Sequence, residues 1–263
     1  MLKVFILIFV LISFSCAAFE KKSIGARQVA LSGAGNASIT MDYAALINPA
    51  ILAYQNQYQI NMFYKNYYGI KDLNHFAIHA NLGFVGIGVT NFGNRLYSET
   101  EFAFGSAYKI SESFSVGLSS IIYFLEIKNY SGATAWGLNT SLIYKISDQI
   151  LFSSTFSNIT EANIGEAKEA IPTSIVFGIS YNLVKSTELF LDVVKNDRTD
   201  FEYRLAARLN FLKSLFLLTG IREAINSFSL GMEYFSDNFS VKYALDIHPT
   251  LNASHAIGIN YVL

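Results

Sequence analysis

From Tyr58 to the last residue, bulky apolar side chains recur at every second position, with small or polar ones between them. Over residues 114–124, Phe114, Val116, Leu118, Ile122 and Phe124 share one parity, while Ser115, Gly117 and Ser119 take the other. Trp136, Leu138, Leu142 and Tyr144 repeat the arrangement against Ala135, Gly137, Asn139 and Ser141. Phe239, Val241, Tyr243 and Leu245 do so again, opposite Ser240, Lys242, Ala244 and Asp246. Successive side chains of a strand point to opposite faces, so this period of two predicts strands with one apolar face. Fourteen such segments fit along the chain, starting near Tyr58, Leu73, Phe84, Glu99, Phe114, Ala133, Gln149, Thr173, Thr187, Phe201, Ser214, Ser227, Phe239 and Ser254. Most have the roughly 9–13 residues of a tilted membrane-crossing strand. Twelve or sixteen strands also fit within the boundary uncertainty.

The connections alternate as well. Those after even-numbered strands are tight, as at Leu82-Gly83 and Leu212-Lys213, and most of those after odd-numbered strands are longer, the longest over residues 159–172. Barrels with both termini on one side of a membrane show this asymmetry of short turns and long loops. Tyr108-Lys-Ile-Ser-Glu112 recurs as Tyr144-Lys-Ile-Ser-Asp148, each an aromatic near a strand end followed by a turn. A soluble two-sheet sandwich has similar strands, but it has no need of so much bulk on every one.

Composition sharpens the choice. Only 15% of the 263 residues are charged, against about 25% in a soluble protein, and there are 22 Phe and 16 Tyr. After the N-terminus no run of about 20 uncharged apolar residues occurs, so a bundle of spanning helices is excluded. The remaining spanning structure is a closed barrel. The expected fold is therefore all-β: a transmembrane antiparallel β-barrel of about fourteen strands with a small N-terminal plug. A net charge of −1 with no basic patch gives no reason to expect nucleic acid as a partner. One cysteine, Cys16, allows neither a disulfide framework nor a cysteine metal site.

Residues 1–18 read as a secretory signal, with Lys3 as the charged start, Val4 to Ile12 as the apolar core and a small-residue exit. Cleavage after Ala18 fits, with Cys16 and Ala18 at the −3 and −1 positions; cleavage after Ala17 is the near alternative. A lipid-modified Cys16 is a third reading that Ser13 and Phe14 suit poorly. The mature chain is expected in the outer membrane of a Gram-negative-type bacterium, with outer-membrane lipid as its surroundings. The alternating C-terminal residues, from Ile257 to Leu263, resemble the terminal-strand signal read by the barrel-insertion machinery.

With bulk facing lipid, the lumen receives Glu101, Lys109, Lys145, Asp192, Glu202, Arg204, Arg208, Glu233, Lys242 and Asp246. Both signs are present, which suits an interior knitted by ion pairs or closed by a plug better than a wide ion-selective pore. Ile121, Tyr123, Leu125 and Ile127 place apolar bulk on that same lumen parity, a candidate patch for a hydrophobic ligand or for packing against a loop.

Residues 19–57 do not alternate. They are rich in small and turn-forming residues: Gly25-Ala26-Arg27, Ser32-Gly33-Ala34, Asp42, then Asn48-Pro49-Ala50. Such a segment is too polar to face lipid and suits the barrel interior, where Gly86, Gly88, Ala103, Gly105 and Gly117 leave room. Arg27 would there meet an interior carboxylate such as Glu202 or Asp246. These motifs resemble the plug of FadL-like transporters and the related PorV/PorQ group. The C-terminal hairpin, with Asp246, His248, Pro249 and His255, is similar to the PorV/PorQ side. Leu31, Ile47 and Ile51 depart from the family pattern. The division expected is a signal over 1–18, a plug (hatch) over 19–57 and the barrel over 58–263.

The resemblance implies one of two functions: binding or passive transport of hydrophobic small molecules across the outer membrane, or service as an accessory of a type IX-like protein secretion system with secretion proteins as partners. An enzyme is not expected. A hydrolase needs a nucleophile beside an oriented base, and nothing marks one. His75 and His79 share the lumen face, but four residues along a strand separate them by about 13 Å, too far to share one metal. No cofactor motif is present.

Overall fold

The computed structural model describes residues 18–184 and 186–263; all but the last residue of the expected signal segment lies outside them. The strands are β1 (Tyr58–Asn66), β2 (Asn74–Leu82), β3 (Val85–Gly93), β4 (Tyr97–Ser111), β5 (Phe114–Ile127), β6 (Ala133–Lys145), β7 (Ile150–Ser157), β8 (Asn163–Ile164), β9 (Glu169–Ala170), β10 (Ser174–Val184), β11 (Thr187–Asn196), β12 (Glu202–Leu212), β13 (Leu215–Arg222), β14 (Ser227–Phe235), β15 (Phe239–Ile247) and β16 (Ser254–Val262). All but β8 and β9 close into one fourteen-stranded barrel of antiparallel neighbours. β1 and β16 complete the ring, in register from Gln59 against Val262 to Asn66 against His255. Closure leaves no unpaired strand edge, which is what a backbone in hydrocarbon requires. No described helix is long and apolar enough to cross a membrane.

Each barrel strand starts within two residues of its predicted start, the largest difference being Tyr97 in place of Glu99 at β4. The faces follow the pattern: Phe102, Phe104, Ile122, Trp136 and Ile259 point outward, while Ser119, Asn139, Ser153, Ser229 and Ser240 are buried inside. At the short-turn end Tyr58, Tyr108, Tyr144, Tyr234 and Tyr261 all face outward. Their rings form a girdle of the kind that flanks the apolar band of membrane barrels.

One element was not foreseen. β8 and β9 pair as a small two-stranded sheet within the longest loop. Gly165 and Lys168, both at positive φ, turn the chain between them. Ala162, Ile164 and Ile171 of this loop are buried in the interior cluster. The loop therefore folds back toward the lumen.

Candidate functional site

The N-terminal segment runs inside the barrel. It holds two short helices, α1 (Ala26–Ala30) and α2 (Ala44–Ile47), and a 3-10 helix over Pro49–Tyr54. α1 lies against β13, β14, β15, β16 and β1; the 3-10 helix lies against β3, β4, β5 and β6. Such close approach needs a wall without side chains. A Cβ on Gly117 of β5 would stand 2.2 Å from the backbone N of Ala50, and one on Gly231 of β14 would stand 2.4 Å from the Ala30 Cβ. Leu31, Ile51 and Leu52 of the segment are essentially inaccessible. Each such side chain contributes about 1.5–3 kcal/mol relative to exposure.

The motif residues each carry a part of this seat. Gly25 takes a φ of 94° immediately before α1, a conformation that only glycine adopts freely. Asn48 is fully buried; its Nδ2 donates to the Asn36 carbonyl at 2.7 Å and its Oδ1 accepts from the Ala50 N–H at 3.1 Å. It thereby caps the 3-10 helix, with Pro49 at the position where a missing N–H costs nothing. The Ala50 N–H also reaches Ser141 Oγ on β6 at 2.8 Å. Ala26 and Ala34 are buried small residues, and the Gly33 carbonyl accepts from Arg204 at 3.0 Å.

Charge fixes the segment to the wall. The Arg27 guanidinium is bidentate on Glu233 and also donates to the Thr40 carbonyl. Its partner is thus neither Glu202 nor Asp246. Glu202 pairs with Arg204, and Asp246 accepts from Lys65 Nζ at 2.8 Å. Glu233 also receives Arg208 at 2.9 Å, and the Arg208 guanidinium lies 3.7 Å from the Phe216 ring centroid. Asp42 pairs with Lys242, which is itself buried on β15. Burial pushes the Asp42 carboxyl upward, but Lys242 and Arg27 outweigh it and hold it below the ordinary carboxylate range.

Above the segment, at the long-loop end, is a cavity of about 580 Å³, within the usual range for small-molecule pockets. Phe19, Ile24 and Leu46 of the segment line it together with Tyr123, Ile171 and Val194. Phe19 and Tyr123 meet edge to face at 4.9 Å. Part of its charged lining is paired: Lys22 with Glu99 at 2.8 Å, Arg204 with Glu202, and Arg222 with Glu202 at 3.6 Å. Lys21 and Arg198 donate to Ser157 Oγ and the Ala170 carbonyl, and Glu20, Glu101, Asp200 and Glu223 complete the polar side. Below it a second space, shared with Lys21, Lys22, Val194 and Arg204, reaches Asn36 and Asp192. At about 20 Å³ that space has room for about one water.

The predicted apolar patch divides. Ile121 and Tyr123 are buried inside, and Tyr123 lines the cavity; Leu125 is partly buried; Ile127, near the end of β5, is 37% exposed. Lys145, expected in the lumen, pairs with Asp148 at the turn after β6. In the C-terminal hairpin, His248 Nδ1 accepts from the Thr250 and Leu251 N–H groups at 3.3 Å each. His255 faces outward against the Tyr243 hydroxyl at 2.7 Å, and Pro249 lies in the intervening turn. His75 and His79 are buried inside on β2. The cavity residues contributed by Phe19, Ile24, Leu46 and Ile171 lie outside any alternating strand, so periodicity gave no signal for them.

Solved outer-membrane channels of the FadL group share this closed barrel fold and superpose on the chain. The monoaromatic hydrocarbon channel CymD matches at a TM-score of 0.64 and 14% identity, over 94% of this chain and 99% of that one. The toluene transporter TodX of P. putida matches at 0.67 and 12% identity, over 92% and 98%. A FadL homologue of Pseudomonas aeruginosa matches at 0.65 and 10% identity, over 92% and 99%. At these identities the likeness establishes a shared fold. No family model and no curated protein matches the chain.

Proposed function

We propose that this protein is an outer-membrane channel that admits hydrophobic small molecules into the cavity at its long-loop, outward-facing end, with residues 19–57 as a plug across the barrel. The observation that carries the reading is the cavity itself: an apolar wall around Phe19, Tyr123 and Ile171, with the N-terminal segment as its floor. A hydrophobic ligand seated against this wall gains burial of its apolar surface. The resemblance to CymD and TodX, named for hydrocarbons and toluene, supports the same ligand class. The alternative of a secretion accessory drew on the C-terminal hairpin. There Asp246, His248 and His255 each have a partner within the chain, so uptake is the reading put first.

A photoreactive alkyl diazirine tests the binding step in purified protein. Crosslinks concentrated on Phe19, Tyr123 and Ile171, and competed away by an excess of unlabelled alkane or toluene, are the expected result. Crosslinks spread evenly over outward residues such as Phe102 and Ile259, with no competition, would remove the cavity as a ligand site.

A further inference from the structure

The first described residue makes a contact that bears on how the chain is processed. The backbone N of Ala18 donates to the Glu169 carboxylate of β9 at 3.2 Å. The next residue, Phe19, is buried with its ring against Tyr123. Glu169 belongs to the small β8–β9 sheet, in the loop whose Ile171 and Pro172 line the cavity and whose base is held by Asn158. The Asn158 Nδ2 donates to the Ile171 carbonyl at 2.9 Å, and its Oδ1 accepts from the Ala162 N–H at 3.0 Å. The base of the hairpin is thus fixed by an asparagine, and its second strand meets Ala18.

We propose that the signal is cleaved between Ala17 and Ala18, and that the new α-ammonium of Ala18 forms an ion pair with Glu169 that fastens the hairpin across the cavity. Cleavage there leaves Ala17 at −1 and Ser15 at −3, both small, as signal processing requires. It converts an amide N–H facing a carboxylate into a full positive charge facing the same carboxylate, a stronger bond than the neutral one it replaces. Cleavage after Ala18 would instead remove the residue whose nitrogen faces Glu169. A lipid on Cys16 fares worse. A chain beginning at Cys16 would leave the Ala18 nitrogen an amide, with no ammonium to face Glu169. In this account, processing strengthens the clasp: the ion pair exists only in the mature chain.

The test uses mature protein purified from outer membranes. Its intact mass is expected to match a chain beginning at Ala18. A mass for a chain beginning at Phe19, for one beginning at Cys16 with or without acyl groups, or for an uncleaved chain overturns the proposal. Amine labelling at neutral pH reads the ion pair independently of transport. The Ala18 amine in the folded wild type is expected to react on the order of tenfold more slowly than in the denatured chain, since a paired ammonium offers its neutral form less often. Glu169→Gln should restore fast labelling while retaining the barrel, judged by heat-modifiable mobility in electrophoresis. Equal rates in folded wild type and Glu169→Gln would overturn the ion pair.

Discussion

Replacing Arg27 by alanine is the sharpest perturbation of the segment's seat. The Arg27 and Glu233 side chains are 4% and 1% exposed, so solvent screens their pairing little. Removing one partner of a buried pair costs about 3–5 kcal/mol, mostly because the other charge is left without compensation. Here Glu233 retains Arg208 at 2.9 Å, which places the cost near the lower end. A loss of about 3 kcal/mol changes the balance between seated and released segment by roughly 150-fold, since each 1.4 kcal/mol is a factor of ten. The segment has no strand partners, so its release need not open the barrel, and hydrogen exchange reads it directly. Amides of residues 26–52 should exchange about two orders of magnitude faster in Arg27→Ala, with the barrel amides unchanged. Arg27→Lys, which keeps the charge but loses the bidentate fork, should fall between. Equal exchange of that segment in wild type and Arg27→Ala would refute the claim that this ion pair holds it.

Further outcomes follow from the same contacts. Gly117→Val puts bulk where a Cβ already stands 2.2 Å from Ala50 N, so the 3-10 helix must leave the wall. Single-channel recording should then show ion current through an otherwise intact barrel. Asn48→Ala removes a cap and leaves the buried Asn36 carbonyl without its donor, a loss of about 1–3 kcal/mol visible as faster exchange over residues 48–54. For pH, the Asp42 carboxyl is held low in the folded state by Lys242 and Arg27, with His79 adding to the pull. A depressed carboxylate contributes stability that is complete above its unfolded value and is lost as pH falls through the folded one. The Asp42 contribution to segment protection, read from exchange corrected for its intrinsic pH dependence, should therefore be constant from neutral pH down to the ordinary carboxylate range and be lost only below it. In Asp42→Asn that acid step should shrink. Tyr123→Ala removes the ring facing Phe19, and a fluorescent hydrophobic probe should bind at least several-fold more weakly.

The barrel could be read from sequence because lipid and lumen impose opposite demands at single-residue spacing. β15 shows it: Ser240, Lys242 and Ala244 are buried inside, while Phe239, Val241 and Tyr243 face outward. The close contact of α1 and the 3-10 helix with the wall has a related reason, in the coincidence of small residues on those helices and on the facing strands. The partner of Arg27 was not visible in the sequence. Which carboxylate lies at its depth depends on the stagger of the strands around the fourteen-stranded ring, and no local spacing encodes that. Glu202, Glu233 and Asp246 look equivalent along the chain, yet only Glu233 meets Arg27, and the others are taken by Arg204 and Lys65. The cavity was half visible. Tyr123 follows from strand parity, whereas Phe19, Leu46 and Ile171 reach it from a coil, a one-turn helix and a loop. The β8–β9 sheet escaped notice because two-residue strands are too short for any period to register.

The central claim is a plugged barrel that passes hydrophobic molecules, and the most direct measurement pairs two readings on one preparation. Purified protein in planar bilayers and liposomes would be assayed for ion conductance and for uptake of a labelled long-chain fatty acid, beside a variant lacking residues 23–53. The account predicts saturable uptake with little ion current in the wild type, and a large current once the segment is deleted. A large steady ion current through the wild-type protein, or no uptake at all, would contradict it.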